Sequence, residues 1–250
     1  MPVSTAGLAL TETVERHRLL YGGPAIDAKL KPLIRVGSGT NLREKDVLDI
    51  LRTSRSVFFD THVEVVSGHH TATYLRFESI ARFPELIRQL AADMADWIRR
   101  AFQRHPITGL VATGSAAELL AQGIVDVLQG TIGLRMVLTP YSCETGRIGT
   151  VINAGSIKAG ERFLALNDVT TRGNCVSKLG KVITDHGGFL AGMMVFARRD
   201  SGQFTLMDEL IARLPFYYTT DLDMPQWEPA HCPLCSTHKP LLSWKDMPAL

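Results

Sequence analysis

The chain reads as an α/β protein with a doubly wound, mainly parallel sheet. Three observations predict this: short apolar runs alternate with stretches of helical periodicity, glycines and prolines separate the two, and the runs are too continuously apolar for strands that face water on one side. The chain divides into an N-terminal helical segment at residues 1–52, an α/β core at 53–200, and a C-terminal covering segment at 201–250 that carries a C-x-x-C pair.

Each element follows from local pattern. Apolar positions recur at helical spacing over residues 12–20. After the Gly22-Gly23-Pro24 break, Asn41 with Glu44 three residues on reads as a capping box ahead of Val47, Leu48, Ile50 and Leu51. Residues 57–77 alternate instead, with Val63 and Val65 before the Ser67-Gly68 turn and Tyr74, Leu75 and Phe77 after it, as in a hairpin. Over residues 83–102, Leu86, Ile87, Leu90, Met94, Trp97 and Ile98 fall on one helix face. Strands are then expected at 109–112, 134–138, 162–166 and 190–197, and helices at 116–129 and 176–186, the second stopped by Gly187-Gly188. Residues 139–155 read as a polar loop, 206–214 as a short helix, and the remainder as an aromatic, proline-rich tail over the core.

Composition narrows the function. With 250 residues, 45% apolar and 21% charged, the chain buries roughly three quarters of its unfolded surface. No apolar run reaches the ~20 residues that span a bilayer, so no membrane role is expected. Lys+Arg 27 against Asp+Glu 25 leaves a charge of +2, which gives no long-range pull on nucleic acid; any phosphate must be held by local geometry. The first residues lack a basic stretch followed by an apolar one, so a reducing, cytoplasmic setting is expected, with four cysteines as thiols. Cys143 and Cys175 stand alone. Cys232 and Cys235, near His231 and His238, have the spacing of half a zinc site, against the alternative of two reduced thiols in a turn. His69 and His70 on the hairpin turn, and Arg198-Arg199 at a strand end, read as solvated.

The stretch 161–178 carries chemistry. An apolar strand ends in Asn167 and Asp168, and a turn with Thr170, Thr171 and Gly173 opens directly into a helix. The first amides of a helix have no partner within it and its dipole favours an anion, so the junction suits a phosphate. Asp168 could alternatively cap the helix. Open α/β sheets bind ligands at the carboxyl ends of their strands, where Asp168 lies.

Residues 163–175 resemble the phosphate-loop signature of the type I phosphoribosyltransferases: the apolar strand, Asp168, Val169, Thr171 and Gly173 match, while Asn167, Thr170, Asn174 and Cys175 depart from it. Residues 63–74 look like the Ser-Gly-x-x-Ser-x-x-Tyr hairpin of the orotate group, residues 110–120 like its pyrophosphate loop and following helix, and Cys232-Pro-Leu-Cys235 like a C-terminal segment of some members. The resemblance implies transfer of a 5-phosphoribosyl group from magnesium-bound phosphoribosyl pyrophosphate to a nitrogen acceptor. Asp168 and Arg147 would be catalytic. The donor would lie on Thr113, Gly114 and Ser115, on Asn167, Asp168 and Val169, and on Thr170, Thr171, Arg172, Gly173, Asn174 and Cys175. The resemblance also implies a homodimer, while structural Zn2+ on Cys232 and Cys235 is the expectation from their spacing alone. The group's lysines are missing: residues 139–149 offer Arg147 alone, and Val66 stands where a lysine precedes Ser-Gly. The expected acceptor is therefore other than orotate, or the fold binds a phosphoribosyl ligand without turning it over.

Overall fold

The computed structural model describes residues 5–199 and 205–250. Its centre is a six-stranded sheet of β1 (Ile34–Val36), β2 (Gly109–Thr113), β3 (Arg135–Thr139), β4 (Arg162–Thr170), β5 (Phe189–Arg198) and β6 (Phe216–Leu222), in the order β1-β6-β5-β4-β2-β3. All pairs are parallel except β1 with β6. From β2 the chain moves outward one way to β3, then returns through β4 to β5 and β6 on the other side. The winding thus reverses between β2 and β4, the place where doubly wound sheets open a crevice.

The principal helices are α1 (Thr5–Tyr21), α2 (Glu44–Ser54), α3 (Pro84–Ala101), α4 (Ala116–Leu128) and α5 (Asn174–Asp185). Alternation along each strand feeds two core layers. Leu164 and Leu166 of β4 join Leu90, Met94 and Ile98 of α3 and Leu120 and Ile124 of α4 on one face. Phe163 and Ala165 join Val176, Leu179 and Ile183 of α5 on the other. No helix among the described residues is long and apolar enough to cross a membrane.

The parallel sheet and most predicted elements are present, with six differences, the first being that Ile34–Val36, within the predicted helical segment 1–52, is the edge strand β1. Helix α2 starts at Glu44 with Arg43 as its cap, the Arg43 amide donating to Asp46 Oδ2 at 2.9 Å; Asn41 instead donates its side-chain amide to Asp96. Residues 57–77 hold two nested pairings, Val63–Glu64 with His70–Thr71 and Val57–Phe58 with Tyr74–Leu75. The predicted loop at 139–155 contains a small hairpin, Tyr141–Ser142 against Arg147–Ile148. Strand β4 runs on to Thr170, which places Asn167 and Asp168 within it. Residues 216–222, read as tail, are β6: buried on both faces, this aromatic and threonine-rich run shows no alternation, yet its residue types favour strand. The rest of the tail adds strands to the 63–71 hairpin, in a sheet ordered Gln226–Trp227, His70–Thr71, Val63–Glu64, Leu242–Ser243.

Candidate functional site

A cavity of about 330 Å3 opens at the carboxyl ends of β2 and β4 and is roofed by the two small hairpins. Its lining brings together Thr113, Ser115, Arg147, Asn167, Asp168, Val169, Thr170, Thr171, Arg172, Asn174 and Cys175, residues the sequence singled out. Gly114 and Gly173 lie in the turns between them.

The turn after β4 is built for close backbone approach. Gly173 caps α5 at φ 79°, a left-handed conformation that favours glycine, and its amide donates to Thr170 Oγ1 at 3.2 Å. The first amides of α5 are left without helical acceptors. Neighbouring segments hold the turn: Gln226 Nε2 donates to Thr171 Oγ1 at 3.4 Å, and the Arg172 guanidinium meets the His69 ring. Helix α4 begins similarly at Ser115, whose Oγ accepts from the Ala117 amide and lies 2.9 Å from Thr113 Oγ1. The Gly114 amide between these two residues donates to Thr139 O at 3.0 Å, and an added Cβ would meet no protein atom closer than 3.8 Å.

Between these turns stand the acids. Asp168 is half-buried; desolvation first, and repulsion from Glu78 second, push its carboxyl up to about 7, while the Val169 amide, donating to Asp168 Oδ1 at 2.7 Å, opposes the rise. Asn167 turns its amide onto Val169 O at 2.9 Å. The Cys175 thiol is raised to about 11 by burial and then by Asp168, which removes it as a nucleophile at neutral pH. Arg147 is exposed on its hairpin at the cavity rim.

Two charged groups escaped the sequence reading. Arg199, read as solvated, is 5% exposed, lines the cavity, and has no hydrogen-bond partner for Nε or Nη2 among the described residues. Desolvation lowers its pKa to about 10. Glu78 lines the same cavity with its carboxylate 3.2 Å from Arg76 Nε. The nearest signal for Arg199 is that it directly follows the apolar run of β5. Arg198 too is largely covered, between Asp208 at 3.6 Å and Asp221 at 3.4 Å.

Cys232 and Cys235 lie together on the tail, but neither His231 nor His238 belongs to the group of potential metal ligands they form. Their Sγ atoms share a cluster with ring nitrogens of His62 and His70, all within 4.8 Å of one another. His70, read as solvated, is 4% exposed. A C-x-x-C pair gives no clue to partners that lie some 170 residues away.

A reversed winding with two strand–turn–helix junctions and an acid between them on one cavity defines a class of fold. That fold is the one of the type I phosphoribosyltransferases. A solved orotate phosphoribosyltransferase of Mycobacterium tuberculosis, in complex with inorganic phosphate, superposes with a TM-score of 0.50 over 69% of this chain and 92% of that one at 16% identity. An adenine phosphoribosyltransferase of Trypanosoma brucei gives 0.51 over 69% and 79% at 15% identity. In sequence, the chain is 24% identical to the orotate phosphoribosyltransferase of Heliobacterium modesticaldum over 201 residues, 80% of this chain and 97% of the relative. It is 25% identical to that of Thermus thermophilus over 197 residues, 78% and 98%. No protein-family model matches the chain.

Proposed function

We propose that the chain transfers a 5-phosphoribosyl group from phosphoribosyl pyrophosphate to a nitrogen acceptor. The carrying observation is that the turn before α5, the turn before α4 and Asp168 open onto one cavity. The 5′-phosphate is received by the amides and hydroxyls of residues 171–175, the ribose hydroxyls by Asp168, and the pyrophosphate by Thr113 and Ser115. Magnesium enters with the donor, as part of the substrate, and offsets the charge that gathers on the leaving pyrophosphate. The carboxylates of Asp168 and Glu78 are the hard oxygen donors that suit it.

In the reaction the C1′–O bond to pyrophosphate breaks and the acceptor nitrogen supplies the electron pair for the new bond, its proton passing to solvent or to pyrophosphate. Asp168 in its ionised form faces the positive charge that develops on the ribose. Arg147 at the rim meets the leaving group. Fixed donors of this kind are worth ~100- to 1000-fold in rate each.

Arg199 directs the choice of acceptor. The phosphates have their own turns, and a buried guanidinium without an anion leaves an unbalanced charge that a ligand's acidic group would neutralise. An acidic nitrogen heterocycle is therefore the preferred acceptor class, and orotate, the substrate named for the relatives above, belongs to it. The sequence expectation against orotate rested on the absent lysines; Arg199 supplies a cation by another route. A homodimer is part of the same proposal, by resemblance.

The test is pyrophosphate release from magnesium phosphoribosyl pyrophosphate in the presence of orotate, uracil and adenine. Release with the acidic base supports the transferase. Saturable donor binding with no release for any base would make the chain a binding protein, the reading that Asn167 in place of an acid favours.

A further inference from the structure

We propose that His62, His70, Cys232 and Cys235 form a tetrahedral Zn2+ site that staples the C-terminal segment to the hairpin walling the cavity. The inference stands independently of the proposed activity.

The atoms are arranged as the edges of a coordination tetrahedron. His62 Nε2 lies 3.0 Å from His70 Nδ1, 3.5 Å from Cys232 Sγ and 3.6 Å from Cys235 Sγ, and Cys235 Sγ lies 3.3 Å from His70 Nδ1. Zinc bonds of about 2.3 Å to sulfur and 2.0 Å to nitrogen give N–N edges of ~3.3 Å and S–N edges of ~3.5 Å. Each of the four residues offers one ligand atom, and the four lie within 4.8 Å of one another.

The surroundings fix the ligands in place. The other ring nitrogen of His62 bonds to Lys239 O at 2.8 Å; as a donor there it leaves Nε2 with a free lone pair for the metal, the usual outer support of a metal-bound imidazole. Cys232 caps the short helix Pro233–Ser236 and Cys235 lies three residues on within it, so the two sulfurs share one face. His62, His70 and Cys232 are at most 4% exposed. Two soft thiolates with two imidazoles select zinc over magnesium or calcium, and four protein ligands close the site to water, the mark of a structural rather than a catalytic metal.

What the metal would hold is the cavity roof. His62 and His70 bracket the hairpin whose tip, Val65 to Ser67, lines the cavity, and Leu242–Ser243 beyond the cysteines pairs with its first strand and leads to Trp244 on the same wall. The tip in turn rests against the 141–148 hairpin, where a Cβ added to Gly146 would come within 2.6 Å of Val66. Binding converts two thiols to thiolates and releases two protons per Zn2+, so affinity rises with pH.

The full-length protein is purified without added chelator and its zinc measured by mass spectrometry, then stripped and titrated with Co2+. Expected are one zinc per chain and, with cobalt, thiolate charge-transfer and tetrahedral d–d bands saturating at one equivalent. Stripping should lower Tm by several degrees and speed amide exchange at 62–71 and 232–243, both restored by Zn2+. His62→Gln, His70→Gln and Cys235→Ser should abolish the cobalt bands, while His231→Gln and His238→Gln retain them. Absence of both zinc and cobalt bands in the wild-type chain would overturn the site, a result that needs no variant to fold. A site that binds metal with no change in Tm or exchange would overturn the staple. Neither readout involves phosphoribosyl pyrophosphate, so failure here leaves the proposed function untouched.

Discussion

The guanidinium carbon of Arg199 lies 5.8 Å from the centroid of the Tyr74 ring, so the side chain rests on an aromatic face while Nε and Nη2 go without partners among the described residues. A buried guanidinium with two unbonded nitrogens costs stability, which sets stability against binding. Arg199→Met should therefore raise Tm in a thermal melt, by about 2–4 °C for each kcal/mol gained. The same variant should raise KM for an acidic acceptor by about 10- to 100-fold, the worth of a hydrogen bond to a charged group. A variant with both Tm and KM unchanged would remove Arg199 from the site.

Asp168 should give binding a pH dependence. With its carboxyl held near 7 against an ordinary 3.8, folding favours the protonated form. That contribution is full below the ordinary carboxylate range and fades as pH rises through 7. Asp168→Asn keeps the neutral state, so its Tm should match wild type at low pH and exceed it increasingly up to pH 8. Donor affinity should run the other way: calorimetry between pH 6 and 8 should show wild type gaining relative to Asp168→Asn as the carboxylate ionises. Parallel profiles for the two proteins would contradict the assigned role.

Gly173 offers a test of the phosphate turn. A side chain at φ 79° costs roughly 1–2 kcal/mol, so Gly173→Ala should lower Tm and weaken donor binding. Gly130→Ala meets the same penalty at φ 92°, in open space away from the cavity. It should lower Tm similarly and leave donor Kd unchanged. Equal loss of binding in both would show the effect to be global.

Tyr217 donates to Asp93 Oδ2 at 2.6 Å, where Asp93 also accepts from Thr40 Oγ1 and the Asn41 amide, tying β6 to α3 and to the segment before α2. Tyr217→Phe removes one donor from a buried carboxylate and should cost about 1–3 kcal/mol, read as a lowered denaturation midpoint with the m-value unchanged.

The sequence determined by itself whatever depends on local pattern. The apolar runs, the helical stripe of 83–102 and the strand–turn–helix passage from Asn167 to Cys175 gave the sheet, its helices and the core of the site, because periodicity and turn chemistry act over a few residues. The tertiary structure decided what depends on distant partners. It made 216–222 an interior strand by offering β1 and β5 as neighbours, and it buried Arg199 against the Tyr74 ring. It also set His62 and His70 against cysteines far along the chain. Neither a residue's burial nor its partner is encoded in its immediate neighbours when the surface that covers it comes from elsewhere in the chain; those contacts exist only once the sheet has closed its two core layers.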